Sequence, residues 1–165
     1  MVPRVAALAL AACLLLAGCS AVAPTAPTAD TPGTDTPPAA EPCPTPEELT
    51  ARELPDRPDA LAADAVTAYV AAYEEATVWN SQYEQRHSLV VGVDETTVLN
   101  RTGDGYVVRA TGNVGYTDCQ DERLVAGDGV IRTSYFLNDS VLVRLETTDQ
   151  TADPRGNGTV VERWG

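Results

Sequence analysis

Hydrophobic and polar residues alternate in four different ways along this chain. From Val5 to Ala17 the residues form an unbroken apolar run, mostly Ala and Leu, behind the single charge of Arg4. From Ser20 to Pro44 there are seven prolines among Ala and Thr and no aromatic residue, so this stretch cannot bury a core and is expected to be an extended stalk. Between about 59 and 86, Ala62, Val66, Tyr69, Val70, Tyr73, Ala76, Thr77 and Asn80 recur at spacings of three and four, with Asp64, Glu74 and Glu75 falling elsewhere. That period predicts one long helix with a mostly apolar face, with Asp59 as its cap. After His87 come short β-branched runs broken by Gly, Asn and Asp, which predict strands near 88–93, 96–101, 106–114, 129–137, 141–147 and 159–164.

Local signals refine this outline. Thr45-Pro46-Glu47-Glu48 has the form of a capping box with proline at the first helical position, and Pro55 and Pro58 would end such a helix after about two turns. One hairpin is expected to turn at Thr102-Gly103-Asp104-Gly105 and another at Asn138-Asp139-Ser140. With a three-residue loop at the latter, Leu137, Tyr135 and Thr133 face Val141, Val143 and Leu145. The other face then sets Arg132 against Glu146 and Ser134 against Arg144. A two-residue loop mixes the faces, so the pattern favours the longer turn.

One helix followed by a meandering antiparallel sheet of about five to six strands is an α+β domain whose helix must lie on the sheet. It would occupy residues 45–165, a length that suits one core. The order of elements resembles the cystatin-like and NTF2-like architectures, and it carries no motif that specifies a function.

The amino-terminal run is too short to span a bilayer, which takes about 20 apolar residues. It has the charged and apolar regions of a secretory signal and ends at Leu16-Ala17-Gly18-Cys19. This tetrapeptide resembles the lipobox of exported lipoproteins. The resemblance implies cleavage after Gly18 and a lipid on Cys19, with residues 1–18 removed and residues 19–44 forming the lipidated stalk. The chain would then sit at the extracellular face of the cell membrane. At about 3.1 Å per residue, the stalk reaches at most roughly 75 Å. Its threonines are candidates for O-glycosylation.

Charge narrows the partners. Without the signal the chain has 24 acidic and 10 basic residues, a formal charge of −14, and every basic residue is Arg. Such a surface repels nucleic acid and anionic headgroups, leaving the lipid as its attraction to a membrane. An acidic, Lys-free chain behind a lipobox resembles the exported lipoproteins of salt-loving archaea, where a Debye length of about 3 Å at 1 M salt screens self-repulsion. The alternative is a lipoprotein of a GC-rich bacterium. No twin arginine is present, which points to the general secretion route.

Cys13 leaves with the signal and Cys19 takes the lipid, so Cys43 and Cys119 remain as a pair in an oxidising compartment. A disulfide between them would close a loop of 77 residues. Asn100, Asn138 and Asn157 begin N-x-Ser/Thr sequons at predicted turns and are candidates for N-glycosylation. Asp118, Asp121 and Glu122 surround Cys119 without the spacing of a calcium loop, and no metal site or cofactor is expected. Gly127-Asp128-Gly129 is read as a turn.

For catalysis the inventory is thin. His87 is the only imidazole and falls at the predicted helix end, where a capping role suits it. No nucleophile elbow, zinc helix, phosphate loop or dinucleotide fingerprint occurs. Trp79 lies off the apolar stripe and is expected at the surface, while the tyrosines are expected to pack in the core or line a cavity. The expected function is a non-enzymatic binding or structural module meeting an envelope protein or small ligand. The alternatives are a carrier with a helix–sheet cavity for a small apolar ligand and, behind it, a hydrolase.

Overall fold

The computed structural model describes residues 42–149 and 151–165; the signal, Cys19 and the stalk up to residue 41 lie outside them. Helix α1 (Ala63–Gln82) continues as one 3₁₀ turn (Tyr83–Gln85) and is followed by β1 (Ser88–Thr102), β2 (Gly105–Gln120), β3 (Arg123–Leu137), β4 (Val141–Glu146), the one-turn helix α2 (Pro154–Asn157) and β5 (Thr159–Arg163). The sheet is an open antiparallel meander in the order β1-β2-β3-β4-β5. This is an α+β fold with one long helix packed on five strands. Among the described residues no helix is long and apolar enough to cross a membrane.

The two strands expected before residue 102 are one. Register shifts between Val93 and Glu95 and between Val98 and Asn100 each insert an unpaired residue. Each bulge reverses which positions face inward, so the alternation reads as two strands. Similarly, Gly127-Asp128-Gly129 is interior to β3, where Gly127 pairs with Tyr116. A Cβ on Gly127 would overlap the Tyr116 ring, so the glycine is there for the ring to cover. The reversal between β2 and β3 falls instead at Asp121 and Glu122, both at positive φ (49° and 63°). Two acidic residues in place of Asn-Gly hide this turn from a sequence pattern. The expected turn at Gly103 and Asp104 is present, with Thr102 paired to Gly105.

The β3–β4 register differs by one residue from the expected one. Leu137 pairs with Leu142, Phe136 with Val143, Tyr135 with Arg144, Ser134 with Leu145 and Thr133 with Glu146. The turn is tighter: the Asn138 N–H donates to the Val141 carbonyl (3.1 Å), and Asn138 Oδ1 accepts from Ser140 and Val141 N–H, each at 2.8 Å. The expectation assumed one apolar face, but both are covered here. Leu142 and Arg144 face α1, while Val107, Phe136 and Val143 form a small second core on the opposite face with Leu99 and Val141. Pro154 of α2 is buried, and Arg155 stacks on Phe136.

The main core lies between α1 and the sheet. Val66, Tyr69, Val70 and Tyr73 pack on Tyr106, Val108, Ala110, Tyr135, Leu137 and Leu142. Towards the far end of the helix, Trp79 packs with Leu89, Val91, Val114 and Ile131. Side chains of this size each contribute about 1.5–3 kcal/mol on full burial.

No helix forms from Thr45; residues 43–58 are an arm without helix or strand. Cys43 stands at disulfide distance from Cys119, with Cα atoms 5.8 Å apart. The Glu47 N–H then donates to the His87 carbonyl (3.1 Å), the Thr50 carbonyl accepts from Trp79 Nε1 (2.8 Å), and Arg52 exchanges two 2.8 Å hydrogen bonds with Asn80. These contacts occupy backbone groups that a two-turn helix would use internally, and a helix that short is marginal alone. The arm also explains Trp79, which is buried and not at the surface: Arg52 stacks 3.8 Å from its ring centre. Asp59 does not cap α1; the N-cap is Ala62, with no side-chain hydrogen bond.

A candidate binding cleft

Val66, Val70 and Glu74 follow one another at intervals of four, which places Glu74 on the buried stripe of α1 and not off it. Its side chain is only 1% exposed. On the sheet beneath it, Thr133 and Tyr135 face inward from β3, and the tighter register brings Arg144 of β4 to the same face beside Tyr135.

The Glu74 carboxylate accepts hydrogen bonds from all three. Thr133 Oγ1 donates to Oε1 at 2.7 Å and the Tyr135 hydroxyl donates to Oε2. Arg144 grips both oxygens, Nε on Oε2 and Nη2 on Oε1, each at 2.9 Å. Arg144 also reaches the Tyr135 hydroxyl (3.1 Å) and, through Nη1, Glu146 (2.7 Å). A carboxylate this deep is tolerable only when paired and fully hydrogen-bonded.

Electrostatics follow from that geometry. Burial pushes the Tyr135 hydroxyl far above the usual tyrosine range, helped by the charge of Glu74 and its hydrogen bond. For Arg144, burial works against the charged form, but the hydrogen bonds and charge of Glu74 outweigh it and raise the pKa. The guanidinium therefore stays charged wherever the domain is folded.

Glu74 and Arg144 line a cleft of about 750 Å³. One wall is the later part of α1, through Thr77, Val78, Ser81 and Gln82; the other is the sheet, through Val114, Tyr116, residues 129–133 and Glu146, with Thr147 and Thr148 at the rim. The space exists for two reasons. β4 stops at Glu146 while β3 runs on towards Arg123, and Gly129 presents no side chain where a Cβ would have its nearest neighbour at 3.9 Å. The lining is evenly divided between hydroxyl, amide and charged groups and an apolar set of Val78, Val114, Tyr116 and Ile131.

The residues singled out from the sequence lie elsewhere. Asp118 is ion-paired with Arg86 (2.5 Å), while Asp121 and Glu122 make the β2–β3 turn. Among the described residues no three His, Cys, Asp or Glu side chains converge as a metal site would need. His87 is not a helix cap. It begins the approach to β1, with Nε2 2.5 Å from the Pro44 carbonyl and its N–H donating to the Thr117 carbonyl (2.8 Å). Asn100 and Asn157 are exposed, whereas the Asn138 side chain holds its turn. Of the two expectations for the tyrosines, core packing holds for Tyr69, Tyr73 and Tyr135, which are buried with Tyr69–Tyr73 and Tyr73–Tyr135 ring centres at 5.8 and 6.1 Å, and Tyr116 alone of the aromatic residues faces the cleft.

Glu74 and Arg144 were missed by pattern reading. The available signal was an acidic residue interrupting the 66, 70, 74 row of the helix stripe. No protein-family model, curated protein or solved structure matches the chain, which leaves the chemistry of the cleft to carry its functional reading.

Proposed function

We propose that this chain is a non-enzymatic binding module of cystatin-like or NTF2-like outline, held at the extracellular face of the membrane by a lipid on Cys19, and that it takes its ligand in the helix–sheet cleft. The cleft is the observation that carries the reading. Its volume of about 750 Å³ falls within the range of roughly 300–1,000 Å³ that ligand pockets occupy. Its mixed lining suits a ligand with polar and apolar parts, held by the hydroxyls of Thr77, Ser81, Thr147 and Thr148 and by Val78 and Ile131. A wholly apolar cargo would strand those hydroxyls, which places the carrier alternative second. The non-enzymatic reading is supported by Glu74 and Arg144 spending their hydrogen bonds on each other, and by His87 lying outside the cleft lining.

Saturation-transfer NMR with a library of small amphipathic fragments tests the cleft. Fragments are expected to bind the mature chain and to lose binding in Gly129→Leu, whose side chain fills the open space. Binding indifferent to that substitution, or no binding, overturns the cleft assignment. Cys19→Ser tests the anchor separately: the chain should move from membranes to the medium, and its retention on membranes would refute lipid anchoring.

A further inference from the structure

β3 begins at Arg123, yet β4 pairs with it only from Thr133 to Leu137. Beyond that, the Thr147 N–H donates to the Arg132 carbonyl (3.1 Å), and the ladder ends. That bond shows that even-numbered residues of β3 turn their backbone groups away from β2. Ala126, Asp128 and Val130 continue the row along the open edge, and all three are exposed, Val130 at 59%. Among the described residues, the one isolated bridge to β3 is that of Pro42 with Arg123, at the far end of the strand.

This edge borders the cleft. Gly129, Ile131 and Thr133, on the alternate positions of the same strand, face into it. A strand laid against the edge would drop every second side chain beside Val78 and Ser81 while its backbone bonded to Ala126, Asp128 and Val130.

Resting on the cleft reading above, we propose that the ligand is an extended, basic segment of a partner protein, which joins the sheet as a further strand at the open edge of β3. Backbone pairing supplies the affinity and the cleft reads the alternate side chains, as in strand addition generally. Charge selects the occupant. The mature chain carries −14, and Asp128, exposed on the edge, offers its carboxylate to Arg or Lys, while Glu146 at the rim is already paired with Arg144. A second copy is disfavoured on the same ground. Antiparallel self-pairing that bonds Ala126, Asp128 and Val130 centres on Asp128 and sets the two Asp128 side chains directly opposite each other, where like charges repel.

Random displayed peptides of about ten residues, the length of a long strand, are selected on the immobilised mature chain. The selected peptides should alternate Arg or Lys with β-branched residues, lack central proline, and slow amide exchange at Ala126, Asp128 and Val130. Asp128→Pro and Ala126→Pro each remove an N–H that points away from β2 and should weaken binding by about tenfold or more. Asp128→Ala keeps the N–H and should weaken it by about threefold. Binding lost in Gly129→Leu but unchanged in both proline variants overturns strand addition and leaves the cleft assignment standing. Binding lost in the proline variants but unchanged in Gly129→Leu supports strand addition and removes the cleft from it. No enrichment overturns the proposal, as does a concentration-dependent dimer that the proline variants dissolve, which would assign the edge to a second copy.

Discussion

Replacing Glu74 by Leu should destabilise the domain more than its position on a surface-length helix implies. The side chain is 1% exposed and accepts from Thr133, Tyr135 and two nitrogens of Arg144, so the change leaves a guanidinium and two hydroxyls without their acceptor. Breaking one side of a buried pair costs about 3–5 kcal/mol. Arg144 lines the cleft, is 15% exposed and keeps Glu146 as a partner, which sets the expected loss near the lower end, about 3 kcal/mol. Against a typical stability of 5–15 kcal/mol this is a large fraction, and it corresponds to a fall in Tm of roughly 10 °C. Arg144→Met should cost a similar amount, because it strands the carboxylate. The double variant Glu74→Leu/Arg144→Met replaces the pair by apolar side chains and should return to within about 1 kcal/mol of the parent. Urea unfolding followed by circular dichroism at fixed salt measures all four proteins, with the midpoint moving and the slope unchanged. A Glu74→Leu protein within about 1 kcal/mol of the parent would refute the reasoning, as would a double variant costing the sum of the singles.

Three further outcomes are expected. Tyr69 is pushed up to about 12 by burial and then by the charge of Glu162, and Tyr73 and Tyr135 are raised further, both by burial first. Above pH 10 the unfolded chain releases these protons while the folded one keeps them, so stability should fall as pH rises, by at most about 1.4 kcal/mol per pH unit for each tyrosine. Tyrosinate absorbance should rise in a step coincident with unfolding; ionisation of these three in an intact fold would count against their burial. Cys43→Ser should lose about 2–4 kcal/mol, because the linked residues lie 76 positions apart; stability equal to the parent would show that the pair does not constrain the chain. Gly112→Ala places a methyl on the Gly92 carbonyl and should cost about 2 kcal/mol or more, whereas Gly92→Ala meets open space and should be near neutral on thermal denaturation.

Much of the architecture was legible because it is local. The 3.6-residue stripe of α1, the β-branched runs, the Gly103-Asp104 turn and the pairing of the two remaining cysteines each follow from residues close in sequence or from simple counting. The bulged β1 and the Asp121-Glu122 turn were not, since a bulge shifts the alternation phase and an acidic pair carries no turn signature.

The sequence by itself determined one long helix packed on a meandering antiparallel sheet and the pairing of Cys43 with Cys119, because those features rest on period, composition and chain order; the arm at 43–58, where a short helix was expected, was decided by its tertiary contacts. Tertiary structure alone decided which charges are buried. Glu74 and Arg144 are separated by 70 residues, and their meeting depends on a one-residue shift in the β3–β4 register that no local preference sets. The same holds for Trp79, buried by an arm about thirty residues upstream, and for the cleft, which exists because β4 is shorter than β3. A strand's hydrophobic pattern can choose its register only when one face is wet, and here both faces of β4 are covered.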